Sequence, residues 1–292
     1  MPSVSKPAAR RASFRWLDRS FAVAGGMAAL VSFGLFAWLI RDLVRLGMPR
    51  ISWEFLTAEV ADAGRSGGIG PVLVSSVLIL VCCLGLAIPL GTGCALWLAE
   101  YARRGSVPAR LVTGGVDLLA SVPSIVFGLF GMVFFGQTLR MGFSILSGGL
   151  TLACMILPML VRTTLSALEA LPADLRPAAA GLGMTRSTTI AKVLLPAALP
   201  GIVIGVTLGI GRALSETAAL IFTSGYSTRW PETLSDSGRA LSVHIYDLAL
   251  NVANGGPMAS SSALVLLALI LVVNSAAVTL SERWLLKRHQ TS

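Results

Sequence analysis

Long apolar runs without a single charge decide what this chain can fold into. They lie between Arg19 and Arg41, Arg65 and Glu100, Asp117 and Arg140, Arg140 and Arg162, and Asp247 and Glu282; one more begins after Lys192 and is broken only by Arg212 and Glu216. A helix needs about 20 residues to cross a hydrocarbon layer of roughly 30 Å. Helices uncharged over that length are rare in soluble cores, where one face stays polar. The expectation is an all-α membrane protein with six transmembrane helices, near residues 20–40, 71–98, 112–136, 144–162, 197–224 and 258–281. The first run is too long for the apolar core of a secretion signal and follows a basic tail, so it reads as a retained helix.

The formal net charge of +9 invites a nucleic-acid reading until the positions of the charges are examined. With six spans and a cytoplasmic N-terminus, fifteen of the 23 Lys and Arg residues fall on inside segments, seven fall outside and Arg212 sits within a span. That asymmetry is the one expected of a multi-pass protein with both termini inside, and it leaves nucleic acid with nothing to explain. Cys82, Cys83, Cys94 and Cys154 all lie in apolar runs and read as small packing residues. Neither His244 nor His289 has acidic or cysteine neighbours at ligand spacing, so no metal site is expected.

Around the spans the chain divides simply. Residues 1–19 are a basic arm facing anionic head groups, 41–69 an external segment, and 284–292 a basic tail. Pro89 and Gly91 predict a kink or an early end to the second span, and Pro123 a bend in the third, either an ordinary packing kink or an element of a pathway. The turn around Arg140 is short, which makes the third and fourth spans antiparallel neighbours. The internal loop 163–196 reads as an amphipathic helix, a GLGMT turn at 181–185 and a second helix, a form suited to a membrane face or a docked partner. External residues 225–257 read as a polar, Gly-rich loop.

The fifth span, GIVIGVTLGIGRALSETAAL at 201–220, carries the chemistry. Gly201, Gly205 and Gly209 recur every four residues, so one face is nearly bare. Packing within the chain and packing against a second subunit explain that row equally well. Arg212 and Glu216 are four apart and share a helical face. Charges at bilayer depth are costly and usually mark a substrate path or relay; the plainer reading is a self-neutralising pair. An arginine fork suits an oxyanion, with Ser215 and Thr217 as further hydroxyl donors. None of Lys6, Lys192 and Lys287 follows a glycine, so the chain lacks a phosphate-cradling loop ending in GlyLys and must draw its energy from a partner or a gradient.

The run PAAAGLGMTRSTTIAKVLLP at 177–196 resembles the EAA loop of ABC importer permeases, with Ala178, Ala179, Gly183, Val193, Leu195 and Pro196 on the motif's positions and Pro177 where glutamate is usual. GGIGPVLVSSVLIL, IPLGTG and LAEYA in the second span, VPSIVFGLFG at 122–131, ILPMLVRTT at 156–164 and RALSETAAL at 212–220 resemble the phosphate permeases of that superfamily, the PstA type more than its partner PstC. Ser215 and Ala219 depart from the family's RALGETAP, and Leu165 and Ser166 replace the acidic pair that commonly follows ArgThrThr. The resemblance implies a type I ABC importer permease domain over 70–283 that imports phosphate or a related oxyanion such as phosphonate. It implies Arg212 and Glu216 at the translocation path, and Ala178, Ala179, Gly183, Leu195 and Pro196 in a loop that couples to the ATPase. By the same resemblance this chain is no enzyme and binds no cofactor. Its partners would be a PstC-like permease, two PstB-like ATPases that use ATP-Mg, a periplasmic phosphate-binding protein and membrane lipid. The rival is a gradient-driven anion carrier, disfavoured because the chain shows no convincing internal repeat.

Overall fold

Charge-free helices in lipid satisfy every backbone group internally, so the apolar runs become long helices that pack side by side. The computed structural model describes residues 8–103 and 105–289, with backbone alone at 8–18 and 280–289. Twelve helices are used below: α1 Ala8–Gly47, α2 Trp53–Thr57, α3 Gly70–Leu96, α4 Val107–Ser121, α5 Ser124–Gly131, α6 Ile145–Glu169, α7 Leu175–Gly181, α8 Arg186–Thr189, α9 Leu195–Ser215, α10 Ala218–Ile221, α11 Leu241–Leu250 and α12 Gly256–His289. A two-stranded antiparallel ribbon pairs β1, Val60–Ala61, with β2, Ser66–Gly67. Five helical segments are long and apolar enough to cross a membrane, and the bent pair formed by α4 and α5 brings the number to six. Six crossings put the start of α1 and the end of α12 on the same side, with the 170–185 turns. That side is called the α7 face below, and the side carrying α11 the opposite face.

Several boundaries differ from expectation. α1 starts inside the expected arm and runs past Arg41 to Gly47, because nothing breaks it before the turn containing Pro49. Residues 1–7 of that arm and 290–292 of the tail lie outside the described residues. α3 passes through Pro89 and continues as a wider π-helical turn to Tyr101, so it does not end early. α6 runs seven residues beyond the expected end at 162, through Pro158. The third span is broken, not merely bent: Val122 and Pro123 are extended, and the two helices meet at 103°. Proline bars the residue before it from the helical region, so Val122 cannot continue α4. The freed carbonyls are taken up locally, Leu118 O by Ser121 Oγ at 2.7 Å and Leu119 O by Val122 N at 3.3 Å.

The central contact is α3 against α6, where small residues let two backbones close up. A Cβ on Gly149 of α6 would stand 2.5 Å from Cys82 Cβ, and one on Gly91 of α3 2.9 Å from Leu160 Cβ. Three apolar clusters are stacked through the bundle: Phe55, Val72, Leu241 and Leu248 at the opposite face; Ile79, Leu152, Ile156 and Ile210 in the middle; and Ala95, Leu168, Leu194 and Ala198 towards the α7 face. The cysteines are free, as packing residues would be. α1 stands apart, its crossing stretch wholly unburied and apolar all round, with Phe33 72% exposed. Only its end touches the bundle, where Gly47 lets Ser260 approach and Ser261 Oγ donates to Gly47 O at 3.0 Å.

The segment 225–257 is more structured than a polar loop, because it contains α11 with Leu241, Val243 and Leu248 buried. Leu241 N donates to Ser76 Oγ of α3 at 2.7 Å, anchoring α11 over the bundle. Beside it Arg239 pairs with Asp247 at 3.0 Å and donates to Tyr226 O at 3.1 Å. His244 is 1% exposed against this pair, and burial, with Arg239 second, pushes its pKa down to about 4 despite the opposing pull of Asp247. The imidazole is therefore neutral at physiological pH.

Candidate functional site

α9 carries the glycine row, and the row faces α6. A Cβ on Gly205 would collide with Thr163 Oγ1, and one on Gly201 would lie 2.5 Å from Ala167 Cβ; one on Gly209 would meet Ile156 Cδ1 at an ordinary 3.5 Å. Of the two explanations left open by spacing, close packing within the chain is the one realised. Gly205→Ala is accordingly expected to lower the melting temperature of the purified protein, at a cost of about 1–3 kcal/mol for an overpacked contact. Gly209→Ala should melt like the parent, and equal melting of both variants would refute the assignment.

One turn beyond the row, Arg212 projects from α9 into a cavity of about 330 Å³. The break between α4 and α5 supplies Val122 and Phe127 to its wall, and α6 supplies Met155, Arg162 and Thr163. The break at Pro123 thus helps to shape the cavity around Arg212. Arg212 is exposed and makes no hydrogen bond or ion pair among the described residues. Arg162, from the next helix, enters the same cavity and pairs with Asp117 of α4. Both partners of that pair are about half exposed, at 53% and 54%. Where water fills the cavity, a pair this exposed is worth about 0–1 kcal/mol and opens readily. Two guanidiniums around one cavity, one free and one loosely held, form a cation-rich pocket with the donors to grip an oxyanion.

Glu216 does not join them. The expected face-sharing pair with Arg212 fails because α9 ends at Ser215, where Glu216 turns extended at φ −77°, ψ 123°. Its carboxylate accepts from Ala219 N at 3.3 Å at the start of α10, and its carbonyl accepts from Ser242 Oγ of α11 at 2.6 Å. Ser215 is lost as a donor to a ligand as well, since its hydroxyl donates back to Gly211 O at 2.7 Å. Short polar residues compete with the helix for backbone groups in this way, and the SerGluThr run is where the helix yields. Thr217 is half-buried at the entry to α10, its hydroxyl making no cap. The structure therefore gathers Arg212, Arg162 and Thr163, whereas the linear reading gathers Arg212, Glu216, Ser215 and Thr217. In the sequence Asp117 is legible only as a charge bounding an apolar run, and Arg162 as that and as the arginine of the ILPMLVRTT segment.

The second candidate surface is on the α7 face. α7 ends at a left-handed turn, with Gly183 at φ +73° and Met184 N donating to Ala179 O at 3.1 Å. Nothing lies within 4 Å of a Cβ built on Gly183, so backbone conformation alone requires glycine there. Thr185 then caps α8 by accepting from Thr188 N. Ala179 turns inward, while Ala178 and Leu182 face out, the latter 81% exposed. Leu195 and Pro196 are half-buried at the start of α9. This small apolar knob is clamped from behind by the end of α3. Arg176 of α7 donates to Glu100 Oε1 through Nη2 at 2.6 Å and Nε at 3.0 Å, and the Arg186 guanidinium lies 4.8 Å from the centre of the Tyr101 ring. The Glu100 side chain is only 7% exposed.

Comparison with known proteins agrees with this architecture. The family model described as "Binding-protein-dependent transport system inner membrane component" matches residues 87–288. The chain is 33% identical over 286 residues to the probable ABC transporter permease protein YqgI of Bacillus subtilis, covering 91% of this chain and 92% of that one. It is 32% identical over 260 residues to the phosphate transport system permease protein PstA of Xylella fastidiosa, covering 88% and 90%. A chain of the bacterial alginate ABC transporter, solved in complex with an alginate pentasaccharide-bound periplasmic protein, superposes with a TM-score of 0.66 at 17% identity, covering 93% of this chain and 98% of that one. The last likeness speaks for the fold.

Proposed function

The chain belongs to the family of binding-protein-dependent transport system inner membrane components, and from that premise we propose that it is the PstA-type permease subunit of an ATP-driven phosphate importer. The observation that carries the reading is the cavity in which Arg212 and Arg162 project together from two membrane-spanning helices. The names of the relatives, PstA among them, give that cavity an anion to carry. In this reading the chain forms half of a path completed by a PstC-like permease, and no bond of the anion is broken.

The Lys and Arg excess supports a cytoplasmic α7 face, with both termini on that side. The exposed knob at Ala178–Leu182 then meets one of two PstB-like ATPases, which use ATP-Mg, and a periplasmic phosphate-binding protein docks on the opposite face. Closure of the ATPases would push α7 and α8, and through the clamp at Glu100 and Tyr101 would push α3 also. The paired permeases then exchange outward for inward access around Arg212, which requires two packings close in free energy.

Membrane vesicles carrying the complete importer supply the test. Phosphate uptake is expected to require ATP hydrolysis and to survive collapse of the proton and sodium gradients by ionophores. Uptake that follows the gradient and ignores ATP would establish the gradient-driven carrier in its place.

A further inference from the structure

The Arg162–Asp117 pair is more than a surface contact, because its two partners face different cavities. Arg162 lines the one that holds Arg212. Asp117 lines a second, of about 540 Å³, on the side of α4 that leads to the α7 face. The other charged residues of this second cavity are Arg103, Arg110 and Glu169. The sequence of α4 builds the arrangement: Arg110, Thr113 and Asp117, spaced by three and four, line the cavity, while Val107, Leu111 and Leu118 stand 68%, 70% and 71% exposed. α4 thus presents a polar track from its first turn up to the ion pair.

The cavities differ in what they offer an anion. The one around Arg212 has two guanidiniums in its wall, of which Arg162 is neutralised by Asp117 from behind and Arg212 is left uncompensated, whereas the second balances Arg103 and Arg110 with Glu169 and with whatever share of Asp117 the pair leaves free. An oxyanion is held where cations are uncompensated and let go where carboxylates compete for them. Asp117 and an incoming anion contend for the same fork of donors on Arg162, and only one of them can occupy it fully.

We propose that the Arg162–Asp117 pair is the release gate of the path and that the Arg103–Arg110 cavity is a weak exit site for a phosphate-class oxyanion. An ion seated at Arg212 and Arg162 displaces Asp117; when Asp117 takes Arg162 back, the ion passes to the second cavity and leaves. The proposal deepens the importer reading and depends on it.

The test uses the assembled importer in vesicles with radiolabelled inorganic phosphate. Asp117→Asn, recovered in normal yield with its ATPase partners, is expected to lower saturated uptake at least tenfold and to raise the phosphate retained by the nucleotide-free complex. The exchanged pair, Asp117→Arg with Arg162→Asp, keeps the mutual attraction but places the carboxylate beside Arg212, and it is expected to stay inactive. Wild-type uptake in Asp117→Asn, full rescue by the exchanged pair, or failure of Asp117→Asn to assemble would each make the pair a structural brace and overturn the gate. Arg212→Gln in the same vesicles separates the two readings. Normal uptake in that variant removes the path itself, whereas lost uptake there with normal uptake in Asp117→Asn removes the gate alone.

Discussion

Arg212→Gln is expected to abolish phosphate uptake, by about a hundredfold or more, while the complex still assembles with its ATPase. The size follows from what is removed. A guanidinium can give an oxyanion two parallel charge-assisted hydrogen bonds, each worth roughly 1.5–3 kcal/mol, and a hundredfold loss of rate corresponds to about 2.7 kcal/mol. The amide of glutamine keeps some hydrogen bonding but no charge. Assembly should survive because Arg212 is exposed and makes no hydrogen bond or ion pair among the described residues, so its loss leaves no buried group unpaired. Arg212→Lys, which keeps the charge and loses the planar fork, should fall between, near a tenfold loss. Glu216→Gln should do far less than Arg212→Gln, since an amide oxygen can still accept from Ala219 N. Equal losses in Glu216→Gln and Arg212→Gln, read as initial rates of radiolabelled phosphate entry, would restore the coupled pair that the helix break denies.

That break marks the limit of what was legible in the linear chain. The number of crossings follows from charge-free length, a property of the chain alone, and the alternation of faces follows from the number. The Ala178–Pro196 segment is legible for a similar reason, because its glycine turn and capping threonine are local. Glu216 is different: whether α9 continues past Ser215 depends on Ser242 and Ala219 being there to receive the freed groups, and both are brought by other elements. α11 was hidden because ten residues are too few for a span and its flanks are rich in glycine and serine. Asp117 and Arg162 lie 45 residues apart, and they become neighbours only after Pro123 breaks the third span and α4 is set against α6. Periodicity can place a charge on a helix, but the partner on another helix is a tertiary fact.

The clamp between Glu100 and Arg176 is such a fact, its partners 76 positions apart, and its loss should uncouple the importer. Arg176 stands next to Pro177, and the ion pair binds the proposed docking knob to the end of α3. Removing one partner of a buried pair costs about 3–5 kcal/mol, because the other charge stays desolvated, although the 35% exposure of Arg176 lets water reach its side and moderates the figure. Arg176→Ala is therefore expected to cut phosphate uptake tenfold or more while the ATPases continue to hydrolyse ATP, since the knob at Leu182 still docks but no longer pulls α3 with it. Glu100→Gln with Arg176→Gln, which leaves no charge buried, should be more stable than Arg176→Ala yet remain uncoupled. The deciding measurement is the ratio of phosphate imported to ATP hydrolysed. If that ratio stays at the wild-type value while both rates fall together, the pair merely holds the fold, and movement must reach the cavity through α9 alone.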